Sequence, residues 1–198
     1  MKQSRRTFIK KSVALAGLAS TFAISGSRAS GQILGANDRL RIGVVGINGR
    51  GQSHISEFAG MPNVEVAYLI DVDSLLLAPM AEKIENDRGY KPNTAQDLRK
   101  ALEDKELNAI SIATCNHTHS LFTIWSVQAG RDVYVEKPCS HNVFEGRKCV
   151  EAADKYKRIV QHGTQSRLSE GRMRMVAAVQ SGKYGTLKIA KGYCCKPR

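Results

Sequence analysis

The chain of 198 residues carries 30 Lys+Arg against 18 Asp+Glu, a formal charge of +12, and is 42% hydrophobic and 24% charged. That length suits one domain of ordinary size, or one domain and the opening of a second, and the composition is globular rather than disordered, collagen-like or low-complexity. No apolar run reaches the roughly 18 residues that a spanning helix needs, which argues against a protein embedded in a membrane or stably anchored to one.

The charge is unevenly placed. Residues 1–30 hold six basic side chains and no acid, residues 31–146 are acidic by four charges, and residues 147–198 are basic by ten. A fold that wraps nucleic acid spreads or stripes its positive charge across the domain, so nucleic acid is not an expected partner. Within the leader, Ser4-Arg5-Arg6-Thr7-Phe8-Ile9-Lys10 precedes an apolar stretch from Val13 to Ile24, and Ser27-Arg28-Ala29 offers small residues for cleavage. Basic, apolar and small-residue regions in that order predict a secretory signal over 1–30, and the paired arginines resemble the twin-arginine type. The expectation is a periplasmic or otherwise exported protein that meets the twin-arginine translocase. A cytosolic amphipathic helix would need a polar face, which Val13–Ala19 lacks. The five cysteines (Cys115, Cys139, Cys149, Cys194, Cys195) show no C-x-x-C or zinc-type spacing, so free thiols and no metal are expected.

Beyond the leader, Leu40–Val45 is a short apolar run ending in glycines, the pattern of a buried strand. A helix is predicted over 52–61, a strand over 64–70 ending at Asp71, and helices over 73–88 and 97–106 separated by the breaker segment 89–93. A strand follows at 109–113, a helix at 119–129, a strand at 132–135, a helix at 142–157, a strand at 159–162, a helix at 168–181 and a last strand at 185–193. In that helix Met173, Met175 and Val176 would supply the buried face. Strands alternating with helices predict an α/β fold, a Rossmann-type doubly wound parallel sheet followed by the start of an incomplete second α/β domain. The expected boundaries are 31–162 for the nucleotide-binding domain and 163–198 for the start of the second.

Between the first strand and helix stands Gly46-Ile47-Asn48-Gly49-Arg50-Gly51. A dinucleotide fingerprint needs glycine for the tight turn, for backbone approach to the pyrophosphate and for close helix–strand contact. Gly46 and Gly51 fit the first and third roles. Asn48 stands at the second, where a left-handed backbone is easier for Asn than for most residues, and the helix N-terminus offers free N–H groups to the anion. Asp71, twenty residues after Gly51, is where an acid accepts hydrogen bonds from the adenosine ribose. With Asp73 it would repel a 2′-phosphate, so NAD is favoured over NADP. Asp71 as an ordinary helix cap stays open as the alternative.

Two later segments end strands on the same sheet edge: Thr114-Cys115-Asn116-His117-Thr118-His119, and Ala129-Gly130-Arg131-Asp132-Val133-Tyr134-Val135-Glu136-Lys137-Pro138. With the glycine turn they resemble the Gfo/Idh/MocA oxidoreductases, from about Arg39 to the C-terminus. The resemblance implies that Thr114, Asn116 and His119 form the loop beside the cofactor, with Cys115 in place of the usual proline. It implies that Glu136 and Lys137 are the pair near cofactor and substrate, with Lys137 bonded to the reacting oxygen and Pro138 in the cis form. Gly163-Thr164-Gln165-Ser166-Arg167 resembles the segment that re-enters the site, making Gln165 and Arg167 substrate candidates. A cation beside a substrate oxygen stabilises a developing alkoxide, and Glu136 would hold that ammonium. A solvated charge at a strand end is the plain alternative for Lys137.

The implied reaction is hydride transfer between nicotinamide and a hydroxyl of a small sugar or cyclitol, with a homo-oligomer of the full-length form left open. Family members also carry a D-x-x-x-H histidine that moves the substrate proton. Asp154 is followed four positions on by Arg158, so that motif is absent and the sequence reads as a truncated product. Two alternatives remain: an exported NAD-dependent glycosidase of the same family, and a dinucleotide-binding fragment without catalysis.

Overall fold

The computed structural model describes residues 39–193; the expected leader and the Cys194-Cys195 pair lie outside the described residues. Six strands alternate with six helices: β1 (Leu40–Val45), α1 (Arg50–Gly60), β2 (Val64–Ile70), α2 (Ser74–Arg88), β3 (Asn93–Ala95), α3 (Leu98–Leu102), β4 (Ala109–Ile112), α4 (His119–Gln128), β5 (Asp132–Glu136), α5 (Val143–Tyr156), β6 (Val160–Gly163) and α6 (Glu170–Gln180). The strands form one sheet in the order β3-β2-β1-β4-β5-β6, every pair parallel. The order reverses between β1 and β4. At such a switch point the loops leaving the strand ends diverge and open a crevice for a ligand.

Side-chain alternation divides the core into two layers. Val44, Val66 and Leu69 meet Ile55 of α1 and Leu77, Ala81 and Ile84 of α2. On the opposite face Val45, Ile70, Ile110, Ile112, Val133 and Val135 meet Leu98 and Ala101 of α3, Val127 of α4 and Ala152 of α5. Each fully buried Val, Leu or Ile contributes about 1.5–3 kcal/mol by removal from water. The same alternation sends Ser111, Tyr134 and Glu136 to the face that α1 covers. This places polar side chains of β4 and β5 beneath the helix that follows the glycine turn.

Four expectations change. Residues 93–95, beginning at the last residue of the breaker segment, form the edge strand β3, which pairs Tyr68, Leu69 and Ile70 with Asn93, Thr94 and Ala95. Three residues after a proline carry no apolar run by which to find such a strand. The helix expected over 97–106 is only Leu98–Leu102, because the chain turns at Asp104, whose carbonyl accepts from the Leu107 N–H at 3.1 Å. Residues 185–193 form no strand; a strand exists by pairing, and among the described residues none pairs with them. Met173, Met175 and Val176 of α6 are exposed, not buried, since no described element covers that helix. Among the described residues no helix is long and apolar enough to cross a membrane.

Candidate cofactor site

The turn after β1 is shaped by glycines with different physical duties. Gly46 has φ +81°, and a Cβ there would stand 2.7 Å from the Ala113 carbonyl carbon and oxygen, so both conformation and space exclude a side chain. Its N–H donates to the Ile70 carbonyl at 2.8 Å. A Cβ on Gly51 would overlap the Gly46 carbonyl oxygen; α1 starts this close to β1 only because the position is glycine. Asn48 does not take the left-handed backbone expected of it. Gly49 does, at φ +45°, where no Cβ penalty applies, and Asn48 instead folds its Oδ1 onto the Gly49 N–H at 2.8 Å. The Asn48 and Arg50 amides have no acceptor among the described residues, and a Cβ on Gly49 would meet only open space. Free donors at a helix start beside open space suit an anion.

On one flank of the turn lies Asp71, at the end of β2. Its Oδ2 accepts from the Ile47 N–H at 2.9 Å and its Oδ1 from the Asp73 N–H at 3.0 Å. The cap of α2 is Asp73, whose Oδ1 accepts from the Leu75 N–H at 3.0 Å. The helix-cap alternative for Asp71 is therefore replaced: Asp71 ties the glycine turn to the β2 loop. Each of its oxygens keeps a second lone-pair site for a hydroxyl donor.

On the other flank, the loop after β4 makes a 3-10 turn at Asn116–Thr118. The Thr114 and Thr118 hydroxyls lie 2.7 Å apart and Thr118 Oγ1 donates to the Cys115 carbonyl at 2.9 Å, so hydroxyl bonds brace a loop that lacks the proline. His119 is only 1% exposed. Its Nδ1 lies 2.6 Å from the Pro138 carbonyl and its Nε2 3.0 Å from the Thr114 carbonyl. It sits behind the loops and ties the β4 end to the β5 end. The Lys137–Pro138 peptide is cis.

Glu136 is the centre of the polar network. Only 4% of it is exposed. Oε1 accepts from Arg50 Nε at 2.9 Å and lies 3.1 Å from His54 Nε2; Gln165 Nε2 reaches both oxygens, at 2.6 and 2.7 Å, and the Lys137 N–H donates to Oε2 at 3.2 Å. Burial works against the carboxylate charge, but the Arg50, Gln165, His54 and Lys137 donors outweigh it and hold the carboxyl at about 2. The Glu136 carboxylate in turn raises the Arg50 pKa. Burial lowers that of His54 against the pull of Glu136; the neutral ring then donates Nε2–H to Glu136 and accepts the Ser111 hydroxyl at Nδ1, 2.8 Å away. The expectation that Glu136 holds the Lys137 ammonium is not met. The carboxylate is already saturated by other donors, and the exposed Lys137 side chain has no ion-pair partner among the described residues.

A cavity of about 430 Å³ is lined by Arg50, Ala113, Thr114, Asn116, Glu136, Lys137 and Gln165. Six side chains drawn from the sequence patterns thus converge across four segments. Arg167 does not line the cavity and is exposed. His54 and Ser111 were not singled out from sequence. The available signal was a histidine three residues after Gly51, one helical turn along α1 and on the face toward the sheet.

Residues 40–164 match the Gfo/Idh/MocA oxidoreductase family, described as having an NAD-binding Rossmann fold. The chain belongs to this family. Among relatives of this Gfo/Idh/MocA protein, inositol 2-dehydrogenase of Azotobacter vinelandii is 27% identical over 148 residues, 74% of this chain and 43% of that protein. Glycosyl hydrolase family 109 protein 1 of a Shewanella strain is also 27% identical, over 134 residues, 66% of this chain and 29% of that one. The WlbA dehydrogenase of Bordetella pertussis, solved with NADH and UDP-GlcNAcA, superposes with a TM-score of 0.65 at 24% identity, over 75% of this chain and 42% of that chain. The Gfo/Idh/MocA chain described here therefore spans under half the length of these relatives.

Proposed function

We propose that this chain is the nucleotide-binding part of an NAD-dependent oxidoreductase that oxidises a hydroxyl of a small sugar or cyclitol to a carbonyl, or reduces that carbonyl in reverse. What carries the reading is the pairing of an open glycine turn with Asp71, bonded to Ile47 of that same turn. The donor set fits a dinucleotide: free amides of Asn48 and Arg50 for the pyrophosphate, Asp71 for the adenosine ribose, and Thr114, Asn116 and Glu136 bordering the cavity. Bound NAD supplies the hydride acceptor. Lys137 contributes to the cavity wall an ammonium with no ion-pair partner among the described residues, where it can donate to a substrate oxygen as charge develops. Gln165, held on Glu136, lines the same cavity, and Arg167, outside that lining, is proposed as a further substrate contact. The carboxylates of Asp71 and Asp73 disfavour a 2′-phosphate, hence NAD over NADP.

Residues 1–30 are proposed as a twin-arginine export signal, residues 31–162 as the cofactor domain and residues 163–198 as the start of a substrate domain. Titration of the chain with NAD and NADP tests the cofactor reading: NAD is expected to bind more tightly, and Asp71→Ala to weaken it at least tenfold. No association of either nucleotide at millimolar concentration refutes it. The likeness to a glycosyl hydrolase supports a second reading, transient oxidation within a glycosidase cycle. Chromogenic-glycoside cleavage by a full-length form without net NADH would favour that one.

A further inference from the structure

His54 does not line the cavity, yet both nitrogens of its ring are engaged with the strands that carry the cavity wall. Its place on α1, one turn after the glycine turn, brings the ring over β4 and β5. Nδ1 lies 2.8 Å from the Ser111 hydroxyl and Nε2 3.1 Å from Glu136 Oε1. Two aromatic rings hold its plane edge-on: Tyr134 with centroids 5.4 Å apart at 80°, and Phe58 at 6.3 Å and 78°. Tyr134 has room there only because residue 163 is glycine, where a Cβ would stand 2.7 Å from the Tyr134 hydroxyl oxygen.

The other side chains that donate to Glu136 are poor anchors. The Arg50 side chain is half exposed and Gln165 is exposed, so each keeps rotamer freedom and water competes for its bonds. His54 is 6% exposed; burial, two hydrogen bonds and two ring contacts leave it one position. The carboxylate takes its place from His54, and Arg50 and Gln165 take theirs from the carboxylate. We propose that His54 is a positioning residue for the cofactor: through its hydrogen bond to Glu136 it seats the Arg50 and Gln165 side chains that line the cavity. Contact groups are held to a productive geometry when the residues behind them are locked by packing and hydrogen bonds. This role of His54 rests on the cofactor reading above. It adds that the nicotinamide end of NAD, in the cavity, depends on a side chain behind the wall, whereas the adenosine end at Asp71 does not.

Calorimetric titration of the full chain with NAD, and with ADP, which lacks the nicotinamide end, tests this in the parent and two variants. His54→Leu keeps the buried bulk and removes both ring nitrogens; His54→Gln keeps an N–H donor for Glu136. His54→Leu is expected to weaken NAD by about fivefold or more and ADP by less than about twofold, and His54→Gln to return NAD to within about twofold of the parent. A merely structural role would lower both affinities or neither. The parent gives a second measurement that no folding defect can spoil. The nitrogen NMR shifts of its histidine rings are expected to show His54 as the neutral Nε2–H tautomer, moving on addition of NAD and staying in place with ADP. Equal NAD affinity in parent and His54→Leu, parallel losses of NAD and ADP, no recovery in His54→Gln, or His54 resonances unmoved by NAD would each overturn this role while leaving the cofactor reading standing. Absence of NAD binding by the parent overturns both.

Discussion

Glu136→Gln preserves shape and removes charge at the centre of the network. A carboxyl held at about 2 instead of 4.5 has its ionised form favoured by about 3 kcal/mol in the folded chain. The Gln oxygen accepts from Arg50 Nε and His54 more weakly than a charge does, and its amide nitrogen, in the place of Oε2, confronts the Gln165 amide and the Lys137 N–H. Half-exposed Arg50 can turn to water, which trims the cost to about 2 kcal/mol. With an m-value of about 1.5 kcal/mol per M, the urea midpoint at pH 7 falls by roughly 1.3 M. The pH dependence has a definite sign. Because Glu136 titrates lower folded than unfolded, its contribution is complete above pH 4.5 and fades as pH falls toward 2. His54 acts in the same direction from its ordinary 6.5 downward, since the unfolded chain takes up that proton first. Urea melts of both proteins at pH 7, 5, 4 and 3 should show the gap between them narrowing only below pH 4.5. A pH 7 difference under 0.5 kcal/mol, or a gap that stays constant to pH 3, refutes the network as described.

Other substitutions probe separate parts of the site. Gly51→Ala drives a Cβ into the Gly46 carbonyl oxygen, so NAD binding by calorimetry should be lost and the melting temperature should fall. His54→Ala strips a donor from buried Glu136 and a partner from buried Ser111, at about 2–3 kcal/mol; His54→Gln should restore part of it in the same urea melts. Lys137→Met touches an exposed ammonium with no ion-pair partner among the described residues and should alter stability by no more than about 0.5 kcal/mol, whatever it does to turnover in a full-length form.

Much of the fold was legible locally. Apolar runs such as Leu40–Val45 and Val64–Ile70 announce buried parallel strands, and the span from Gly46 to Asp71 carries the cofactor pattern because turn geometry and helix length fix that spacing within one β-α-β unit. The Asn48 expectation failed for an equally local reason, since the adjacent glycine takes the left-handed backbone at no cost. β3, and the segment 185–193 that pairs with none of the described residues, depart from expectation because strand identity depends on a neighbour, which propensity does not supply.

What the chain order alone determined is the inventory at the site: the glycines, Asp71, Thr114, Asn116, Glu136, Lys137 and Gln165, all at strand ends. What only the tertiary structure decided is who holds whom. Glu136 meets Arg50 and His54, 86 and 82 positions away, because β1, β4 and β5 lie side by side in the sheet and α1 covers the face to which alternation turns Ser111 and Glu136. Hydrogen bonds are short-ranged, so the partner of a buried charge is set by that adjacency and not by proximity along the chain, where Lys137 stood nearest.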